Sequence, residues 1–138
     1  MSYYFNKTVK GKSFDEVIEL VKSELKTEGF GIITEIDLKK SFKEKIDIDF
    51  RNYRILGACN PHFAYKALEL ENKIGVFLPC NVVIDELEPG VVEVSAVDPV
   101  ASMISVKNES LGTTATGIQQ KLRTVSYTHL TLPTKRIV

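Results

Sequence analysis

Residues Tyr3 to Lys10 mix aromatic and β-branched positions with polar ones and stop at Gly11, a pattern that predicts a strand ending in a turn. Ser13-Phe14-Asp15-Glu16 then forms a capping box: the serine hydroxyl can accept from the third helical N–H while the glutamate reaches back. Phe14, Val17, Ile18, Val21 and Leu25 recur at helical spacing behind it, and Gly29 supplies the left-handed residue that often ends a helix. Phe30 to Ile36 is a short β-prone run, and Asp37 can cap a brief helix whose lysines face water.

Tyr53, Ile55, Leu56 and Ala58 mark a strand within Phe50 to Cys59 that stops at Asn60-Pro61. Asparagine as a cap and proline at the first helical position signal a helix start. That helix carries Phe63, Ala64, Ala67, Leu68 and Leu70 and breaks between Asn72 and Gly75. The continuous apolar run Ile74 to Leu78 predicts a strand buried on both faces, interrupted by an edge or bulge at Pro79 before Val82-Val83-Ile84 resumes it. Glu88-Pro89-Gly90 reads as a turn, with Val91, Val92, Val94 and Val97 as the antiparallel partner strand. Asp98-Pro99 repeats the cap-then-proline device and opens a last helix that buries Val100, Met103, Ile104, Leu111, Ile118 and Leu122, with Gly112 and Gly117 weakening its continuity. Residues Ser126 to Val138 break that pattern and resemble a translated cloning or adaptor scar. The expected organisation is therefore one α+β domain over residues 1–125 and a non-native tail over 126–138, with His129 discounted.

Composition changes this picture little. A length of 138 residues suits one domain, and 43% hydrophobic with 26% charged residues is ordinary globular usage. A net charge of zero gives no general field to attract nucleic acid or anionic lipid, so no nucleic-acid partner is expected. No basic region followed by an apolar core opens the chain, and no apolar run approaches the ~20 residues that span a bilayer, so a cytoplasmic protein with no membrane partner is expected. Cys59 and Cys80 are too few for a disulfide scaffold and are expected as thiols.

Together, Ile55-Leu56-Gly57-Ala58-Cys59-Asn60-Pro61, Gly75-Val76-Phe77-Leu78-Pro79-Cys80-Asn81-Val82-Val83 and Asp98-Pro99 resemble the bacterial and archaeal family called domain of unknown function 302, over roughly residues 1–125. The resemblance implies a β-α-β(4)-α fold like one half of the TATA-binding protein, decorated with extra helices, and often a homodimer. It does not imply DNA binding, because fold does not carry function.

The residues that could carry chemistry lie in those strings. Cys59 sits at a strand end before a helix whose free N–H groups favour an anion; the alternative is an inert packed cysteine. Cys80 follows Pro79 and could face the same cleft, giving a redox pair, a sulfur carrier or two soft metal ligands, or could simply pack. His62 is close enough in sequence to join a ligand set with Cys59 and Cys80 or to act as a base, against the plainer reading of a surface histidine. Asn60, Asn81 and Asp98 read first as caps and turn residues. Asn60 and Asn81 could also present amides to a small ligand, with Pro61 beside them. Met103 would strengthen a soft-metal site if it lay near the thiols. Nucleotide, zinc-protease and serine-hydrolase motifs are missing. No cofactor is named by these observations. Three readings follow: a binding module for a small molecule or soft metal at Cys59, Asn60, Pro61, Pro79, Cys80 and Asn81; a thiol-dependent redox or sulfur-transfer enzyme using Cys59 or Cys80; or a structural dimerisation domain.

Overall fold

The computed structural model describes residues 2–103, 106 and 108–125, so the tail over 126–138 and Ile104 lie outside the described residues. Strand β1 (Tyr4–Lys10) leads into helix α1 (Phe14–Thr27), followed by β2 (Gly31–Asp37), α2 (Leu38–Ile46), β3 (Tyr53–Cys59), α3 (Pro61–Leu70), β4 (Cys80–Glu88), β5 (Val91–Val97), α4 (Pro99–Ser102) and α5 (Glu109–Thr124). The five strands form one antiparallel sheet in the order β1-β5-β4-β3-β2. With α2, α3 and α4 set aside as additions, the order is the expected β-α-β(4)-α.

The local signals work as the sequence predicts. Ser13 accepts from the Glu16 amide at 3.1 Å while the Glu16 carboxylate accepts from the Ser13 amide at 3.0 Å. At the other end of α1, Gly29 takes φ +86°. That turn lets the Phe30 amide donate to Leu25 O at 2.9 Å and the Gly29 amide to Lys26 O at 3.0 Å, the paired bonds of a Schellman termination. Asp37 accepts from the Lys40 amide and opens α2, as expected.

Alternation along the strands sends one set of side chains into the core. Phe5 and Val9 of β1, Leu56 and Ala58 of β3, Val82 and Ile84 of β4, and Val92, Val94 and Ala96 of β5 pack on Val17, Ile18, Val21 and Leu25 of α1 and Ile118 and Leu122 of α5. Fully burying one such aliphatic side chain is worth ~1.5–3 kcal/mol, so this layer is the main source of stability. A smaller cluster of Ala67, Ile74 and Leu111, joined by Leu78 and Met103, fills the space between α3, α4 and α5. No helix among the described residues is long and apolar enough to cross a membrane.

Two sequence expectations are corrected. Ile74 to Leu78 is not a strand: Ile74–Phe77 winds as a 3-10 turn, with the Val76 amide bonded to Lys73 O and the Leu78 amide to Gly75 O, both at 3.1 Å. Only Ile74 of that turn is buried, while Val76 is 80% exposed. A run this short carries no periodicity that separates strand from helix. Pro79, joined by a cis bond to Leu78, precedes β4 rather than interrupting it, and β4 is an interior strand. Its irregularity lies further on, between Glu86 and Glu88.

The helix opened by Asp98-Pro99 is likewise not continuous. Asp98 Oδ1 accepts from the amides of Val100 and Ala101, but α4 stops after Ser102 and Asn108 caps a separate α5. Gly112 and Gly117 lie inside α5 and do not break it. Within α3, Leu68 is 43% exposed and Ala67 is the buried residue.

Candidate functional site

The two strand ends singled out by the sequence do meet. Ala58 and Cys80 are cross-strand partners in the β3–β4 ladder, which puts Cys59, the last residue of β3, next to Cys80, the first of β4. Both are free cysteines, Cys59 half-buried and Cys80 buried. Both line one cavity of about 30 Å³ at the end of the sheet, beneath α3 and α5.

Asn60 lines the same cavity and is itself buried, with Oδ1 accepting from the Phe63 amide at 3.4 Å to cap α3. A Cβ on Gly29 would stand 3.1 Å from Asn60 Nδ2, so the termination of α1 packs directly on this cap. Helix α3 contributes Phe63, Ala64 and Ala67, and α5 contributes Leu111, Thr114, Ala115 and Ile118. Phe30, Ala58, Leu78, Pro79, Pro99 and Met103 complete the apolar wall. The polar atoms on it are confined to Asn60, Thr114, the thiols and backbone.

This cavity has larger neighbours. One of about 150 Å³ shares Met103, Leu111 and Ala115 with it. Another of about 230 Å³ shares Leu78, Pro79 and Cys80. The small cavity thus shares walls with two larger depressions, and Met103, with its flexible thioether, is one of the shared residues.

Electrostatics decides what the thiols can do. Burial pushes the Cys80 thiol up to about 11, with the neighbouring Cys59 adding to the effect. Cys80 is consequently a neutral thiol near pH 7, a poor nucleophile and a weak hydrogen-bond donor.

The remaining residues of the expected site are placed elsewhere. Asn81 follows Cys80 in the strand and is exposed on the opposite face of the sheet, where alternation must send it. It does not line the cavity that holds both cysteines, but it does line the neighbouring depression of about 230 Å³ with Pro79 and Cys80. Pro61 and His62 are exposed on the first turn of α3 and are also outside that lining. The ligand set Cys59, Cys80 and His62 is not assembled: among the described residues no group of three His, Cys, Asp or Glu side chains is arranged to hold a metal ion. Met103 does lie on the wall with both cysteines, as the sequence reading asked.

Sequence reasoning did not single out the helical part of the lining, although its signal was present. Phe63, Ala64 and Ala67, and Leu111, Ala115 and Ile118, are spaced as single helical stripes. Such stripes pack against something, and periodicity cannot distinguish a filled core from a cavity wall.

Residues 5–127 match the family model described as domain of unknown function DUF302. The chain is similar to a solved structure described as an uncharacterized conserved protein DUF302 from Bacillus stearothermophilus, at 27% identity and a TM-score of 0.83, over 91% of this chain and 97% of that one. No curated protein matches.

Proposed function

The chain belongs to the family described as domain of unknown function DUF302, and from that premise we propose that it is a binding protein for a small, largely apolar molecule held where β3 and β4 end beneath α3 and α5. The observation that carries this reading is the convergence of two separate strings, Cys59-Asn60 and Pro79-Cys80, on one carbon-lined cavity. An apolar wall with a few fixed polar groups is the usual make-up of a small-molecule site, and at about 30 Å³ this cavity must widen into its neighbours to take one. Asn60 and Thr114 would orient the ligand, while Met103 and Leu78 would yield toward the neighbouring depressions to admit it.

A thiolate mechanism at Cys80 has less in its favour, because burial holds its proton. Organic ligands are favoured over a soft metal because the lining is mostly carbon and, among the described residues, no group of three His, Cys, Asp or Glu side chains is arranged around the two thiols.

The test uses benzene and xenon as probes, since both enter apolar cavities. Met103 is one of only two methionines, so its methyl resonance is readily assigned. A saturable shift of that resonance, lost when Ala115→Leu fills the wall, together with slower alkylation of Cys59 in the presence of benzene, is the expected result. Absence of any saturable shift with both probes would overturn the reading.

A further inference from the structure

The sheet has a second face. Helices α1 and α5 cover the side that carries Val82, Ile84, Val92, Val94 and Ala96, so the alternate residues of β4 and β5 point the other way. On that side lies a depression of about 340 Å³ between Tyr3, Tyr4 and Tyr53, whose other lining residues include Asn81, Val83, Asp85, Glu93 and Ser95. Its volume falls in the range of ordinary small-ligand sites.

The register makes its chemistry specific. Asp85 is the cross-strand partner of Tyr53 on β3 and of Glu93 on β5, so an aromatic ring and two carboxylates stand in one row across three strands. Like charges directly opposite each other destabilise a sheet. The fold answers half of that repulsion: Arg51 forks onto Asp85, with Nε to Oδ1 at 2.6 Å and Nη2 to Oδ2 at 3.2 Å. The same guanidinium lies 4.5 Å from the centre of the Phe50 ring and 5.8 Å from that of Tyr53. This corner therefore already holds a cation between a carboxylate and aromatic faces. Glu93 takes part in none of the ion pairs among the described residues. The depression as a whole keeps one uncompensated negative charge beside three phenol rings.

Tyr53 reports the same crowding. Burial first, then Asp85, raises its hydroxyl above the ordinary tyrosine value, with Glu93 and Tyr3 adding and Arg51 opposing. Tyr3 and Glu93, far apart in the chain, thus act on one hydroxyl.

We propose that this depression is a second binding site, distinct from the cysteine-lined cavity, which takes a small organic ammonium ion with its charge against Glu93 and its alkyl groups against the faces of Tyr3, Tyr4 and Tyr53. Aromatic walls attract an alkylammonium through their negative ring faces while shielding its carbon, and the carboxylate supplies the remaining charge. An anion would meet Glu93 with no free cation to offset it. A neutral apolar molecule would gain nothing from the carboxylates.

Choline and its uncharged carbon isostere 3,3-dimethylbutan-1-ol are the probes. The sequence has no tryptophan and five tyrosines, three of which bound the site, so tyrosine ring resonances and near-ultraviolet dichroism read it directly. Saturable binding of choline is expected, with the isostere at least about tenfold weaker. Glu93→Gln should weaken choline by roughly five- to tenfold, and Tyr53→Leu by about fivefold, the range of one charge contact or one ring face. Glu19→Gln, at an exposed position of α1 on the other side of the sheet, is the control and should leave affinity unchanged. Equal binding of choline and its isostere, no loss in Glu93→Gln with the native dichroism retained, or no saturation by ~10 mM choline would each overturn the proposal. Because the sheet lies between this face and the cavity at Cys59, benzene should leave choline affinity unaltered, and failure at one site says nothing of the other.

Discussion

Pro79 lies over the bare Cα of Gly57: a Cβ added there would stand 2.8 Å from Pro79 Cγ and 2.0 Å from Thr34 Oγ1. Gly57 is a strand residue with unexceptional backbone angles, so its side chain is missing for space and not for conformational freedom. The threonine hydroxyl can rotate away, but the proline ring is fixed by the chain that leads into Cys80. Gly57→Ala should therefore cost ~1–3 kcal/mol, the range for overpacking a filled site. Urea denaturation measures it. Because Pro79 is also a wall of the cysteine cavity, faster alkylation of Cys80 should accompany the loss.

Raising the Cys80 thiol to about 11 makes stability depend on alkaline pH. The unfolded chain releases this proton near 9, the ordinary cysteine value, whereas the folded chain keeps it to about 11. Between those values the folded state binds more protons, so stability falls as pH rises, and below 9 the full stability is present. The loss across the window is on the order of 2 kcal/mol. Cys80→Ala should flatten the decline seen in denaturation midpoints between pH 8.5 and 11. An equal decline in that variant would assign the effect to other groups. At pH 8 iodoacetamide should modify Cys59 well before Cys80, since a thiol of pKa about 11 is ionised there to roughly one part in 1,000.

One side chain joins two helices at Asn108. Its Oδ1 accepts from the Leu111 amide at 3.1 Å to open α5, while its Nδ2 donates to Leu70 O at 2.9 Å to close α3. Asn108→Asp keeps the acceptor and loses the donor; Asn108→Ala loses both. The expected order of stability is wild type, then Asp, then Ala, with Ala lower by ~1–2 kcal/mol, the range for a lost cap. A thermal midpoint for Asp equal to that of wild type would show that the Leu70 carbonyl finds water instead.

Much of this was legible in the chain. Caps and their consequences are local chemistry, so Ser13, Asp37, Asn60 and Asp98 each marked a helix start that the structure has. Turn chemistry is local too, so Glu88-Pro89-Gly90 and the valines after it marked the antiparallel hairpin of β4 and β5. What failed was decided at a distance. The turn at Ile74–Phe77 forms because Ile74 alone reaches the cluster with Ala67 and Leu111, a contact across elements that no window of sequence contains. Asn81 was grouped with Cys80 by adjacency, yet adjacency in a strand means opposite faces. The row Tyr53, Asp85 and Glu93 was out of reach because it is created by the register of three strands.

Gly117 shows how the helical layer trades propensity for contact. Within α5 a glycine gives up ~1 kcal/mol of helix stability relative to alanine. A Cβ there would stand 3.0 Å from Phe63 Cε1, so the glycine admits the Phe63 ring of α3 against the α5 backbone. Phe63 borders the cysteine cavity and has space on that side into which the ring can shift by a few tenths of an ångström. The gain in helix propensity and the small displacement should then nearly offset each other, leaving Gly117→Ala within ~1 kcal/mol of wild type. The shift has a second effect, because it moves the ring into the cavity and so should weaken benzene binding. Gly117→Val cannot be relieved so simply and should lose ~1–3 kcal/mol. If Gly117→Ala instead lost as much as Gly117→Val, Phe63 would be locked in place, and the cavity wall it forms would be too rigid to admit a ligand by that side.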